Sequence, residues 1–299
     1  IAPTYIFLAV LLLVSGISSM MWHIPSPVMI KQIAGERTGK GMSYYMVGGE
    51  LARTLGPLII LGVIELWGLE GTWKMMPLGF VASFVLWVTF RKVNFTPVEK
   101  DHTEGNYWAI FMRYLPAFVL TGGFTLFQAG VKASLTYYLP TFLTDNEGRS
   151  LVFADTSLTI LQLAGAAGAL FSGTLSDKLG RTTMLLIISI GTPLLMLLFM
   201  MLEGAWIIPV LIPLGFFLFA PTAVMMALIQ DLNTTRKAFV NAIYMFINFF
   251  ISSAVIPSVG VITDRHGFDT SYLVFAFISF GAIGVVLATR KSISRLSGK

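Results

Sequence analysis

No cysteine occurs in the 299 residues. That excludes disulfide frameworks, thiolate metal sites and cysteine nucleophiles, and leaves the redox compartment open. Charge is scarce too. Asp, Glu, Lys and Arg make up 12% of the chain, against about 25% in an ordinary soluble domain. Histidine appears only at His23, His102 and His266. The chain has no H-E-x-x-H, no G-x-S-x-G and no G-x-x-x-x-G-K-[ST], so zinc peptidase, serine hydrolase and nucleotide-driven chemistry lack their residues. No enzymatic activity, no metal and no cofactor are expected.

What is present is apolar surface. Apolar residues are 56% of the chain, with 28 Gly, 24 Phe and 15 Met. Mean hydropathy is +0.79. A bilayer-spanning helix needs about 20 largely apolar residues. Runs of that kind lie at about 4–27, 41–64, 75–92, 109–142, 153–174, 183–202, 206–229, 239–262 and 271–289. The first run has no basic n-region and no small-residue cleavage site, so it reads as a span and not as a signal peptide. The fourth is long enough to tilt or break, and Pro116 and Pro140 suit that. An all-α polytopic membrane protein is expected, with the lipid bilayer as its surroundings.

The net charge of +5 follows topology, and no nucleic-acid partner is implied. With the loop after the first run taken as cytoplasmic, one side collects Lys31, Arg37, Lys40, Arg91, Lys92, Lys100, Arg113, Lys178, Arg181, Arg236, Lys237, Arg290, Lys291, Arg295 and Lys299. The other side holds Lys74, Arg149 and Arg265. Such a bias orients membrane proteins with the basic side inside. A cytoplasmic C-terminus in a plasma (bacterial inner) membrane is expected.

An internal repeat supports this organisation. Pro25-Ser26-Pro27-Val28-Met29-Ile30 matches Pro221-Thr222-Ala223-Val224-Met225-Met226. Tyr45-Met46 falls opposite Tyr244-Met245, Pro57 opposite Pro257, and Arg91-Lys92 opposite Arg290-Lys291. Parallel repeats of this kind build transporters from two similar halves. Helices one to three then pair with seven to nine, and four to six lack partners. Twelve helices are therefore expected in the whole protein, with roughly 90–100 residues for three helices before Ile1. The expected domains are 1–92, the second half of an N-terminal bundle, and 109–299, a complete C-terminal bundle. A charged cytoplasmic linker at 93–108 joins them.

Between the fifth and sixth runs stands Gly173-Thr174-Leu175-Ser176-Asp177-Lys178-Leu179-Gly180-Arg181-Thr182. Gly173 and Gly180 permit a tight turn or a close helix approach. Asp177 can meet a helix N-terminus or Arg181. The segment resembles the cytoplasmic loop signature of the major facilitator superfamily, G-x-L-x-D-[RK]-x-G-R-[RK], with Thr182 in the last basic position. The resemblance implies the major facilitator fold, with the helices here as the fourth to the twelfth. It also implies a loop that latches one state of the transport cycle through Gly173, Asp177, Lys178, Gly180 and Arg181. The stretch from Gly16 through His23 to Gly56-Pro57 is similar to the fosmidomycin-resistance group of drug exporters. That group has a His-Pro pair followed by an acid; here the run is His23-Ile24-Pro25, with one extra residue and no acid. Gly56-Pro57 is also similar to part of the drug-antiporter signature G-x-x-x-G-P-x-x-G, with Ala52 and Ile60 at the outer glycines. A Gly-Pro pair can equally be an ordinary kink.

Ionisable residues inside membrane helices are costly and are functional candidates by default. Glu50 and Arg53 lie in mid-helix at i,i+3 spacing, on one face. They suit a proton-coupling pair, or equally a permanent salt bridge. Lys132, with Gln128, Tyr137 and Tyr138, sits in the long fourth run. It can attract an anionic substrate, meet a carboxylate across a cavity, or snorkel to the interface. Asn241, Tyr244 and Asn248 share a face and can bind substrate or join helices. Asp231 ends its helix and is expected to be solvated. Most Phe and Met are expected to pack or face lipid, and not to form an aromatic substrate box. The function expected is a secondary transporter working by alternating access, with a small molecule and protons as its partners. The expected version is proton-driven export of a drug or amphiphilic compound by a monomer. Import of a small organic anion and a non-transporting membrane sensor are the alternatives.

Overall fold

A computed structural model describes residues 4–93 and 106–297. Most of the expected linker, with Lys100 and His102, lies outside the described residues, as does Lys299. The described residues form no strand. The helices are α1 (Tyr5–His23), α2 (Pro25–Ala34), α3 (Thr38–Trp67), α4 (Met76–Phe90), α5 (Tyr107–Tyr137), α6 (Leu139–Thr141), α7 (Leu151–Leu179), α8 (Arg181–Met200), α9 (Ile207–Gln230), α10 (Lys237–Ser279) and α11 (Gly281–Leu296). Side chains placed to accept from the first turn start three of them. Thr4 accepts from Phe7 N at 3.2 Å, Asn106 from Ala109 N at 2.9 Å and Ser150 from Phe153 N at 3.3 Å. Each satisfies a backbone donor that a helix start leaves without an intrahelical partner.

Among the described residues, eight stretches are long and apolar enough to cross a membrane. The first seven match the expected runs closely. The long fourth run stays helical through Pro116 and breaks at Tyr138, so that Pro140 sits in the first turn of the short α6. The last stretch, Lys237–Leu296, has 60 residues and contains both remaining runs. At about 1.5 Å per residue it is far longer than one bilayer crossing. Contacts with α5 show a reversal inside it. Gly122 meets Ile247, Thr125 meets Asn248 and Tyr138 meets Gly260, so both chains advance together. Beyond that, Ser134 meets Tyr272, Gly130 meets Phe275, and Gly123 meets Val285, in the opposite sense. Gly267, at φ 81°, is the one non-helical residue inside α10. That left-handed conformation is open to glycine without a Cβ clash, so the turn falls there.

The core sits in α5–α11. One buried cluster gathers around Tyr114, Met184, Val224, Tyr244 and Val286, and a second around Leu139, Leu161, Phe199, Leu214 and Tyr272. Helices in lipid gain little from hydrophobicity and associate through close packing. The contact of α7 with α9 follows that rule: a Cβ on Gly168 would strike the backbone of Phe216, and one on Gly215 the backbone of Leu161. By contrast, α1 and α4 bury no residue at all. An 18-residue window within Tyr5–Ala34 has a mean hydropathy of 2.0. Helices this apolar, with every backbone group paired internally and their faces uncovered, belong in a bilayer. The chain is a multi-pass membrane protein.

Candidate functional site: a central cavity and the sealed end beside it

A cavity of about 810 Å³ opens between the first helices and the rest. Helix α3 supplies Tyr45, Met46, Gly48, Gly49, Glu50 and Arg53, and α1 adds Trp22 and His23. Opposite stand Thr125, Gln128 and Lys132 of α5, Met225 and Met226 of α9, and Tyr244, Met245 and Asn248 of α10. Nothing lies within 4 Å of a Cβ placed on Gly48 or Gly49, so the glycine pair leaves room in front of Glu50.

Glu50 is 7% exposed. Arg53 Nη1 stands 3.4 Å from both of its carboxylate oxygens, longer than the usual 2.7–2.9 Å of a charge-assisted bond. The pair is loose, and the Arg53 side chain is 65% exposed. The ammonium of Lys132 lies 4.5 Å from the centroid of the Phe219 ring. That is a cation–π contact, and among the described residues Lys132 has no ion pair. Lys132 lines the same cavity as Glu50 and Arg53. His23 Nδ1 and the Tyr45 hydroxyl share a hydrogen bond of 2.7 Å. Thr125 donates to Asn248 Oδ1 at 2.5 Å, and Asn248 Nδ2 donates to Tyr244 O at 3.0 Å. Gln128 Nε2 donates to Ser279 O at 3.3 Å.

Seven sequence candidates thus share one cavity: His23, Glu50, Arg53, Gln128, Lys132, Tyr244 and Asn248. Three lie elsewhere. Tyr137 is 59% exposed at the end of α5. Tyr138 follows the break there and packs against Gly260. Asn241, wholly buried, joins helices. Its Nδ2 donates to Ile24 O at 3.0 Å and His23 O at 3.3 Å. Pro27 lacks the N–H that would reach back to His23 O in a helix, and Asn241 takes up that freed carbonyl from α10.

The cavity wall includes Met46, Met225, Met226, Met245, Phe124 and Phe249, and Met46 and Met245 are matched positions of the repeat. One expectation needs correction: Asp231 is not a solvated helix end. Its side chain is 13% exposed, with Lys31 Nζ at 2.7 Å and Arg181 Nη2 at 2.8 Å. Burial alone would push the Asp231 carboxyl up, but the guanidinium and the ammonium together hold it below its ordinary value. Lys31 lies 200 positions away, and nothing local in the sequence points to it.

Asp231 belongs to a sealed end that also contains the loop signature. Asp177 Oδ1 accepts from Gly39 N at 2.9 Å and Oδ2 from Lys40 N at 3.0 Å. The carboxylate therefore caps the start of α3, where the helix dipole favours negative charge. Arg181 Nη2 reaches Asp177 at 2.6 Å and Nη1 reaches Ser176 Oγ at 2.5 Å. A Cβ on Gly39 or on Gly173 would collide with the carbonyl oxygen of the other. Gly180 ends α7 at φ 91°, and Lys178 is exposed. Nothing comparable surrounds Gly56, where a Cβ would meet no atom within 4 Å.

The sequence profile described as "Major Facilitator Superfamily" matches residues 1–257. The fosmidomycin resistance protein of Escherichia coli (strain K12) is 26% identical over 277 residues, covering 88% of this chain and 66% of that protein. The MFS-type transporter pytF of Aspergillus terreus is 30% identical over 190 residues, covering 59% of each. The chain therefore spans less than two thirds of the length of either curated relative. Among solved structures, the Escherichia coli fucose:proton symporter aligns at a TM-score of 0.71 and 14% identity, over 90% of this chain and 72% of that one. A bacterial homologue of the iron transporter ferroportin, in an outward-facing state, aligns at 0.61 and 14%, over 88% and 65%. At that identity the structures speak for the fold alone. A profile covering most of the sequence, the same helical fold and a charged cavity between helices lead to one conclusion: the chain belongs to the Major Facilitator Superfamily of membrane transporters.

Proposed function

We propose that the protein is a proton-coupled secondary transporter of amphiphilic small molecules, working by alternating access. The observation that carries this reading is the cavity itself. Glu50 and Arg53 come from one side of it and Lys132 from the other, in a volume within the range of small-molecule sites. Residues 1–92 then belong to one bundle and 109–299 to a second, joined by a linker at 93–108. Substrate contacts the methionine-lined wall together with Gln128, Tyr244 and Asn248, and Glu50 carries the proton. Methionine side chains adapt to varied apolar shapes, which suits a broad substrate range. The sealed end made by Asp177, Arg181, Asp231 and Lys31 is the gate on the basic, cytoplasmic side, and it is shut in this state. The protein works as a monomer in the bacterial inner membrane with its C-terminus inside.

Export is the first version of this reading, supported by the name of the fosmidomycin resistance protein. The test uses the intact protein in a bacterium stripped of its own efflux pumps, grown with fosmidomycin and with a panel of amphiphilic cations. Resistance that disappears in Glu50→Gln at equal expression is the expected result. No resistance to any compound, with the protein present in the membrane, rules out export of these compounds. Uptake of a small organic anion is the second reading. It is favoured by the charge of the cavity, which has two cationic side chains, Arg53 and Lys132, against one carboxylate.

A further inference from the structure

The cavity holds an unusual balance of charge for a compartment sunk in lipid. Glu50 faces two cations and satisfies neither closely. Arg53 approaches at 3.4 Å, and Lys132 spends its charge on the ring of Phe219. The other titratable groups on the wall are His23, Tyr45 and Tyr244. The helices α7 and α9, which also pack on α3, bring none to this level: Asp155, Asp177 and Lys178 lie at the two ends of α7, and α9 has no ionisable residue. Among the described residues, the charge of the site is therefore set by Glu50, Arg53 and Lys132.

A ligand in this space meets all three at once. An ammonium group would be drawn to Glu50 and repelled by both cations. An anion would be attracted by both cations and repelled only by the Glu50 carboxylate, and only while that carboxylate is charged. Protonating Glu50 removes the one repulsive group and releases Arg53 from it. Anion and proton then favour each other, and linkage makes the effect reciprocal. At separations of several ångström in a partly buried site, the interaction is worth on the order of tenfold to hundredfold in affinity.

We infer that the cavity binds an amphiphilic anion together with one proton, Lys132 and Arg53 holding the anionic head, Glu50 taking the proton and the methionine wall receiving the apolar body. The inference rests on the transporter reading above, and it makes the two solutes travel in the same direction. Proton-driven export by exchange requires proton and substrate to exclude each other at the site. Here they assist each other, so uptake with the proton is the direction that follows. The only bond made is O–H on Glu50, and the proton comes from the aqueous side to which the cavity is open.

The test uses the intact protein and two probes whose charge never titrates, octyl sulfonate and octyltrimethylammonium. Binding is followed by tryptophan fluorescence, since Trp22 lines the cavity, and proton uptake by a pH dye in weak buffer. Octyl sulfonate is expected to bind with uptake of about one proton, its affinity rising up to tenfold per pH unit toward acid. Glu50→Gln should bind it with the acid-side affinity at every pH and without proton uptake. Lys132→Gln should weaken it roughly tenfold or more, as expected for losing a charge-assisted contact. The wild-type proton count needs no variant and stands even if one misfolds. Tighter binding of octyltrimethylammonium, or sulfonate binding without proton uptake, would overturn the inference. In proteoliposomes, cation movement coupled to proton counterflow would overturn it while leaving the transporter reading intact. If neither probe nor any drug of the panel moves protons, the transporter reading falls as well.

Discussion

The two halves of α3 meet the rest of the molecule in different ways. Near its start, Gly39 and Ser43 touch α7 through backbone and a single hydroxyl, and Asp177 grips the helix end. One to three turns later, Met46, Glu50 and Arg53 face an open cavity, and contact with α7 thins to Thr54 and Gln162 at 3.4 Å. The first region is close-packed, with its charges paired. The second is roomy and leaves its charges loosely matched. A single helix thus carries both a close backbone contact and a cavity wall.

The comparison can be broken most severely at Gly173. Gly173→Ala places a methyl group against the carbonyl of Gly39 as well as the Ser43 hydroxyl, and the hydroxyl can turn aside but the backbone carbonyl cannot. The sealed end should fail to close. Because the chain has no cysteine of its own, a Thr222→Cys reporter on the cavity wall reads this directly. Its labelling from the basic side should rise roughly tenfold or more, equivalent to at least about 1.4 kcal/mol against closure. Unchanged labelling would show that the glycine contact does not control the gate.

Asp231→Asn comes next. It leaves Lys31 and Arg181 partly buried without their shared partner, at a cost of about 2–3 kcal/mol, read as a lowered midpoint of thermal unfolding. The pH dependence has a definite sign. A carboxyl held below its ordinary value stabilises at all pH above that value and loses the contribution only as pH falls through the lowered one. Stability from this cluster should therefore be flat from pH 8 to 5 and decline below about pH 4. A decline centred near pH 6 would implicate a different group.

Asn241→Ala removes two hydrogen bonds and strands the His23 carbonyl, for about 1–2 kcal/mol. The same Thr222→Cys labelling should increase, though less than in Gly173→Ala. Smallest is Tyr45→Phe, which takes away the partner of His23 at about 1 kcal/mol. It sharpens the contrast by perturbing the cavity alone: substrate affinity should shift a few-fold while labelling from the sealed end stays unchanged.

Much of this was legible before any coordinates. Apolar runs gave the helices to within a few residues, because a membrane span is a local property of composition. The loop signature marked Asp177 and Arg181 correctly as partners. Glu50, Arg53 and Lys132 stood out because charge in an apolar run is rare. What the sequence could not give was pairing across the interface. Lys31 with Asp231, Asn241 with the carbonyls of His23 and Ile24, and His23 with Tyr45 depend on how helices cross. Tyr137 and Tyr138 lie apart from the cavity, at the end of α5, and polar residues near a helix end look the same whether the helix continues or breaks.

The backbone contact of Gly39 with Gly173 has a consequence for how often the molecule can open and shut. Interfaces built from long side chains must freeze rotamers each time they form, at up to about 2 kcal/mol for each long side chain. Glycine has no rotamers to freeze. At the glycine contact itself nothing is re-sorted when the seam parts and returns, and only the side chains around it, Ser43, Asp177 and Arg181, have to find their places again.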